Sequence, residues 1–239
     1  MATFVLVHGG WSGAHGRRQV RRLLTADGHE VFTPSLTGIG ERVHLVSPQV
    51  DLTTHVYDVA NLMLFEDIDD VVLVGYSYGG AVVTSALAHI SDRIRELVYL
   101  DAFVPRNGET VAGLSGRERR ATIAVDDELL VPPPERDYDD PEEAIWQSSR
   151  RVPHPARCFT ESVHLARPIE DYTFGLSYIK ATADSREAPG GAAFWDAADH
   201  ANASDRWGYH EIGTNHMVAS NRPEDLATLL AAISNASAQ

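Results

Sequence analysis

The sequence predicts an α/β fold with a mainly parallel sheet, helices on both faces and one insertion. Three observations carry this. Short apolar strand candidates alternate with helical patterns along most of the chain, which places parallel strands in a sheet covered by helices. Val71-Val72-Leu73-Val74 reads as a fully buried strand and passes through Gly75-Tyr76-Ser77-Tyr78-Gly79-Gly80 into a small-residue helix, Ala81 to Ala88. Strand periodicity is lost between about Arg106 and Tyr172, where Pro132-Pro133-Pro134, an acidic run from Asp137 to Glu143 and Pro153-His154-Pro155 stand. Such a break between two well-patterned regions marks an insertion.

In chain order, Phe4 to Val7 is a strand ending at His8-Gly9-Gly10-Trp11-Ser12-Gly13. Arg17 to Ala26 is a helix stopped by Asp27-Gly28, and Glu30 to Pro34 is a second strand. Asp51 to Phe65 carries Val56, Val59, Leu62 and Met63 at helical spacing. Beyond the central strand–turn–helix, Glu96 to Asp101 is a strand, and the insertion follows. Leu176 to Thr182 resumes the sheet, a helix holds Phe194 and Trp195, and Arg206 to Ile212 is the last strand. A helix from Pro223 to Ser234 closes the pattern. The predicted organisation is a first core segment over 1–105, a small, mostly helical cap over 106–175 and a second core segment over 176–239.

The 239 residues hold 44% hydrophobic and 23% charged residues, ordinary for a soluble globular chain. A net charge of −14 argues against nucleic acid or an anionic membrane as partner and states no preference about the charge of a substrate. The single cysteine, Cys158, allows no intrachain disulfide. With no charged leader and no apolar run of bilayer length, the expected location is cytoplasmic. The acidic run lacks an EF-hand pattern, and neither a Walker A motif nor Gly-x-Gly-x-x-Gly is present. No metal and no cofactor are expected, and a homodimer is compatible with the sequence.

Gly-x-Ser-x-Gly between a buried strand and a helix is the context of a nucleophile elbow. Ser77 sits on the strained tip, and the helix N-terminus aims free N–H groups at what it attacks. Serine needs a base, and the base needs an orienting carboxylate. His216, between the last strand and the last helix, is the candidate base. Asp184, just past Thr182, is the favoured acid, with Asp101, just past the strand after the elbow, as the alternative. Gly10 and Tyr78 are the candidate backbone N–H donors for an oxyanion. Trp11, Met217, His154 and Trp146 are candidate pocket residues, and Arg42 or His44 lies on a loop at a strand's carboxyl end.

Phe4-Val5-Leu6-Val7-His8-Gly9, Val72 to Gly80, Thr182-Ala183-Asp184 and Gly213-Thr214-Asn215-His216-Met217 together resemble the α/β-hydrolase superfamily. More narrowly, they resemble its branch of plant methylesterases, acting on salicylate and jasmonate methyl esters, and hydroxynitrile lyases. The resemblance covers both core segments and the cap only loosely. It implies an α/β-hydrolase fold, supports Asp184 and Gly10 in the roles above, and implies a cofactor-independent serine carboxylesterase for a small to medium, largely apolar ester. The lyases carry threonine after the first histidine and lysine after the catalytic one. Gly9 and Met217 stand there in this chain, so a cyanide leaving group would lack its electrostatic stabiliser. Ser77 excludes the aspartate-dependent epoxide hydrolases and dehalogenases. A receptor-like homologue with little turnover, or a lyase or cofactor-free oxygenase, is the alternative class. The branch's aromatic residues near the first helix are replaced by Arg17 and Arg18.

Overall fold

A computed structural model describes residues 1–116, 123–125 and 128–237. The strands are β1 (Thr3–Val7), β2 (Glu30–Phe32), β3 (Val71–Tyr76), β4 (Ile94–Leu100), β5 (Ile123–Val125), β6 (Glu128–Val131), β7 (His154–Pro155), β8 (Gly175–Ala181) and β9 (Gly208–Ile212). The helices are α1 (Arg18–Ala26), α2 (Leu52–Phe65), α3 (Gly79–Ile90), α4 (Val111–Leu114), α5 (Pro141–Ser148), α6 (Arg157–Thr160), α7 (Gly191–Asn202), α8 (Val218–Asn221) and α9 (Pro223–Ala236).

Six strands form one sheet in the order β2-β1-β3-β4-β8-β9, and every neighbouring pair is parallel. Successive side chains of β3 go to opposite faces. Val71 and Leu73 enter a core with α2, α3 and α7, while Val72 and Val74 enter a second core with α1 and α9. Burial on both faces is why these strands read as continuous apolar runs rather than alternating ones. The order reverses at β1, which has β2 on one side and β3 on the other, so the loops leaving β1 and β3 open a crevice at the carboxyl end of the sheet.

Two glycines permit the close approaches that build this crevice. A Cβ on Gly80 would lie 2.2 Å from the Phe103 carbonyl oxygen, where the start of α3 passes the loop after β4. A Cβ on Gly9 would lie 2.9 Å from Ser77 Cβ, so only glycine lets the first loop touch the elbow.

Described residues of the segment over 106–175, among them Val111, Val131 and Phe159, line a cavity beside Ser77 at this crevice. Beside its short helices the segment carries a small antiparallel sheet, β5-β6-β7, which the sequence pattern does not reveal because its strands are two to four residues long. Cys158 is buried and free. No helix among the described residues is long and apolar enough to cross a membrane.

Candidate active site

Ser77 occupies the turn between β3 and α3 with φ +55°, a left-handed conformation for a non-glycine residue. Its carbonyl accepts from Gly80 N–H (3.1 Å) and Phe103 N–H (3.2 Å), and its own N–H donates to Leu100 O (3.3 Å). Those bonds hold a backbone state that costs about 1–3 kcal/mol. Trp11 (φ +62°) and Asp101 (φ +42°) are held in the same region, so three strand-end loops at one site share this strain.

His216 stands in the loop after β9, its ring stacked between Phe194 (4.9 Å, 8°) and Tyr76 (4.8 Å, 28°). The Tyr76 hydroxyl donates to the His216 carbonyl at 2.7 Å. Ring and main chain are therefore both fixed. His216 Nε2 lies 2.9 Å from Ser77 Oγ, and Nδ1 lies 2.6 Å from Asp101 Oδ2. Opposite an ionised carboxylate Nδ1 carries the proton, which leaves Nε2 to accept from the serine hydroxyl.

This geometry corrects one sequence expectation. The carboxylate on the imidazole is Asp101; Asp184 Oδ2 instead accepts from the His216 backbone N–H at 2.8 Å. Asp101 stands at the end of β4, next to the elbow strand, whereas Asp184 stands in the turn after β8, one strand further from Ser77. A signal for Asp101 was present in the sequence. Lys180 lies inside the apolar strand β8, and a buried ammonium requires a buried carboxylate. That partner is Asp101 Oδ1, 2.6 Å from Lys180 Nζ.

Burial alone would raise the Asp101 carboxyl, but the His216 ring and the Lys180 ammonium outweigh it and hold the group below the usual carboxylate range. Burial lowers the His216 ring below the ordinary histidine value despite the opposing pull of Asp101, and Arg136 lowers it further. A neutral imidazole ready to accept a proton results.

Neither Gly10 N–H nor Tyr78 N–H is taken by a hydrogen bond among the described residues, so both are free to donate. Trp11 N–H is engaged: it donates to His154 Nδ1 at 3.2 Å. Trp11 Nε1 donates to Val131 O (2.8 Å), and Trp11 O accepts from Val152 N–H (3.2 Å). The loop after β1 is thus tied at three points to the segment above it.

Ser77 opens on two chambers. One, of about 110 Å³, is lined mainly by apolar groups including Trp11, Phe103, Val111, Phe159 and Phe194. The other leaves about 20 Å³ and is polar, with Arg17, Arg136, Tyr138, Arg151, His216 and Met217 on its walls. A larger cleft of about 830 Å³, near Leu165 and Trp207, does not include Ser77.

Of the predicted pocket residues, Trp11 and Met217 line chambers. His154 does not: it is wholly buried behind Trp11, against Tyr78 (4.8 Å) and Phe159 (4.5 Å). Trp146 does not either, being stacked between the guanidinium groups of Arg18 (3.7 Å) and Arg150 (4.2 Å). Arg42 is loop scaffolding, paired with Asp58 at 3.0 Å.

His55, His154 and Cys158 bring donor atoms within 4.8 Å of one another. His55 is committed to the Tyr78 hydroxyl (2.9 Å) and Thr37 O (2.7 Å). His154 Nδ1 accepts from Trp11 N–H, so in its neutral form Nε2 bears the proton and is a donor rather than a metal ligand. Burial pushes the Cys158 thiol far up, which opposes the thiolate that a metal needs.

A parallel sheet with a serine on the strand–helix turn, a histidine after the last strand and a carboxylate between them is the architecture of the α/β hydrolases. The alpha/beta hydrolase family model matches residues 4–229, and the chain belongs to that family. It is 49% identical over 114 residues to a carbendazim hydrolyzing esterase of Nocardioides sp. (strain SG-4G), a match covering 48% of this chain and 47% of that relative. Matches to the first curated relatives span about half of each relative's length. Among solved structures, methylesterase MES16 from Arabidopsis aligns with a TM-score of 0.75 at 26% identity, covering 98% of this chain and 100% of that one. An extracellular α/β-hydrolase from a Paenibacillus species shares the fold, with a TM-score of 0.76 at 21% identity over 97% of this chain and 98% of that one.

Proposed function

We propose that the chain is a serine carboxylesterase acting on a small to medium, largely apolar ester through an acyl-enzyme. The observation that carries the reading is the unbroken Ser77–His216–Asp101 relay, at 2.9 and 2.6 Å, beside an apolar cavity.

Ser77 Oγ attacks the ester carbonyl carbon while its proton passes to His216 Nε2. The negative charge forming on the carbonyl oxygen is met by Gly10 and Tyr78 N–H, and Asp101 steadies the imidazolium. Breakdown cleaves the bond to the alcohol oxygen, which takes the proton from His216. Water then gives a proton to His216 and its oxygen to the acyl carbon, releasing the acid and restoring Ser77. The esterase and methylesterase relatives support this reaction class, and Met217 in place of a buried ammonium weighs against cyanide departure.

The test is Ser77→Ala assayed on a series of p-nitrophenyl esters, with a phosphonate to trap the serine. A loss of kcat on the order of a millionfold is expected. Hydrolysis surviving in the variant, or phosphonate on another residue, sinks the assignment.

A further inference from the structure

Arg17 is buried beside the elbow, and no carboxylate among the described residues pairs with it. Its side chain lines the polar chamber with Ser77 and His216 and is 5% exposed, and neither Nε nor Nη1 has a hydrogen-bond partner. Neutral tyrosines meet the charge instead: the guanidinium carbon lies 4.0 Å from the Tyr76 ring centroid, and the Tyr76 and Tyr138 side chains both favour the cation. Among the described residues no carboxylate lines the chamber. Two acidic groups of the overlying segment are engaged elsewhere: Glu143 holds Arg18 at 2.6 Å, and Asp139 holds Arg222 at 2.5 Å.

Two more cations face the same space. Arg136 makes no hydrogen bond or ion pair among the described residues, and Arg151 spends one N–H on the Pro134 carbonyl. The buried Tyr138 hydroxyl also lacks a partner. Converging donors with no acceptor form an anion site, since burying a guanidinium is unfavourable until an opposite charge accepts its N–H groups. The space left is small, about 20 Å³, so it admits a compact anionic head and no long chain.

Resting on the esterase reading above, we infer that the substrate carries a carboxylate on its alcohol half, within a few bonds of the scissile oxygen, bound by Arg17, Arg136 and Arg151. His216 fixes which half. The base that protonates the leaving oxygen lines the polar chamber and not the apolar one, so the alcohol leaves on the side of Arg17 and Arg151, with Arg136 bordering both chambers, and the apolar acyl group lies opposite. The substrate class is an acylated hydroxy acid. Guanidinium–carboxylate geometry adds direction as well as charge.

The experiment compares kcat/KM for carboxymethyl butanoate with its neutral counterpart isobutyl butanoate, in the wild type, Arg17→Met and Arg136→Met. Taking the ratio of ratios cancels the intrinsic reactivity of the two esters. Each substitution is expected to lower the preference for the anionic ester by about tenfold to a hundredfold, the range for charge-assisted hydrogen bonds to a buried cation. An unchanged ratio in both variants, the result expected if water alone satisfies Arg17, overturns the proposal. A preference for a carboxylate on the acyl half, read with monoisobutyl succinate, also overturns it. Arg136 is half-exposed and keeps the test usable should Arg17→Met fail to fold. If neither ester is turned over, the esterase reading has failed on its own. Titration calorimetry of the same two compounds then judges the site: tighter binding of the anionic one that is lost in Arg136→Met upholds it, and equal binding overturns it.

Discussion

Asp101 and Lys180 form a fully buried ion pair, Nζ to Oδ1 at 2.6 Å, with each side chain only 1% exposed. The other oxygen of Asp101 holds the His216 ring, so one carboxylate is shared between the Lys180 ammonium and the proposed base. Lys180 also donates to Ala181 O at 2.6 Å and lies over the Trp195 ring at 4.5 Å. The ammonium cancels the aspartate charge in the resting state, which holds the imidazole neutral while preserving its orientation.

Lys180→Met is expected to raise the acid limb of the kcat/KM profile, because an uncompensated carboxylate favours the imidazolium. A loss of roughly 3–5 kcal/mol in stability is expected alongside, as a buried charge loses its partner. Urea unfolding measures the second effect and the pH profile the first. A profile that does not move would show Lys180 to be structural only.

Asp101→Asn is expected to lower kcat by about 10⁴-fold, the cost of losing the carboxylate that fixes the base's tautomer. Asp184→Asn removes an acceptor from the His216 main chain and leaves the ring contact intact, so a fall of no more than about tenfold is expected. Steady-state kinetics on one activated ester separates the two, and the reverse ranking would put Asp184 on the imidazole.

Acid should destabilise the fold early. Burial lowers the ring of His8 to about 3, and it lowers those of His55, His154 and His216 as well. A group whose folded value is depressed binds its proton more readily in the unfolded chain. Stability is therefore complete above about pH 6.5 and falls as pH drops below it, by about 1.4 kcal/mol per unit for each histidine still neutral in the fold. Urea midpoints at pH 7.5 and 5.5 should differ clearly. Equal midpoints would mean that these rings protonate in place.

His154→Ala removes the acceptor of Trp11 N–H and opens space behind a residue held at φ +62°. If the loop after β1 drifts by about 1 Å, Gly10 N–H leaves the oxyanion position, and kcat should fall roughly 10- to 100-fold with KM little changed. An effect on KM alone would mean that His154 shapes only the binding cavity.

The core of this architecture was legible in the sequence for a physical reason. Strands buried on both faces, such as Val71 to Val74, carry a signal no helix or loop reproduces, and an elbow needs glycine at fixed places. Ser77 and His216, which meet at 2.9 Å, are candidates from sequence because each sits at a sequence-marked end of such a strand. Asp101 and Asp184 both sit at strand ends as well, and local pattern does not say which carboxylate faces the ring. That depends on neighbours in the sheet, β4 beside both β3 and β8. The three arginines were missed as a group because Arg17 belongs to a helix start, while Arg136 and Arg151 belong to an irregular segment, and only folding brings them to one wall. The antiparallel sheet of the segment above the site escaped notice because two- to four-residue strands leave no measurable period.

The tie between Trp11 and its partners Val131, Val152 and His154 bears on how such enzymes diversify. In a scaffold whose roof merely covers the floor, a new roof can be grafted by recombination, changing what is accepted and leaving the reaction rate alone. Here the roof holds a loop of the floor beside Ser77 in a strained shape. A transplanted segment without an acceptor at position 154 would bring its selectivity and slow the chemistry together, so a working new roof has to carry that anchor with it.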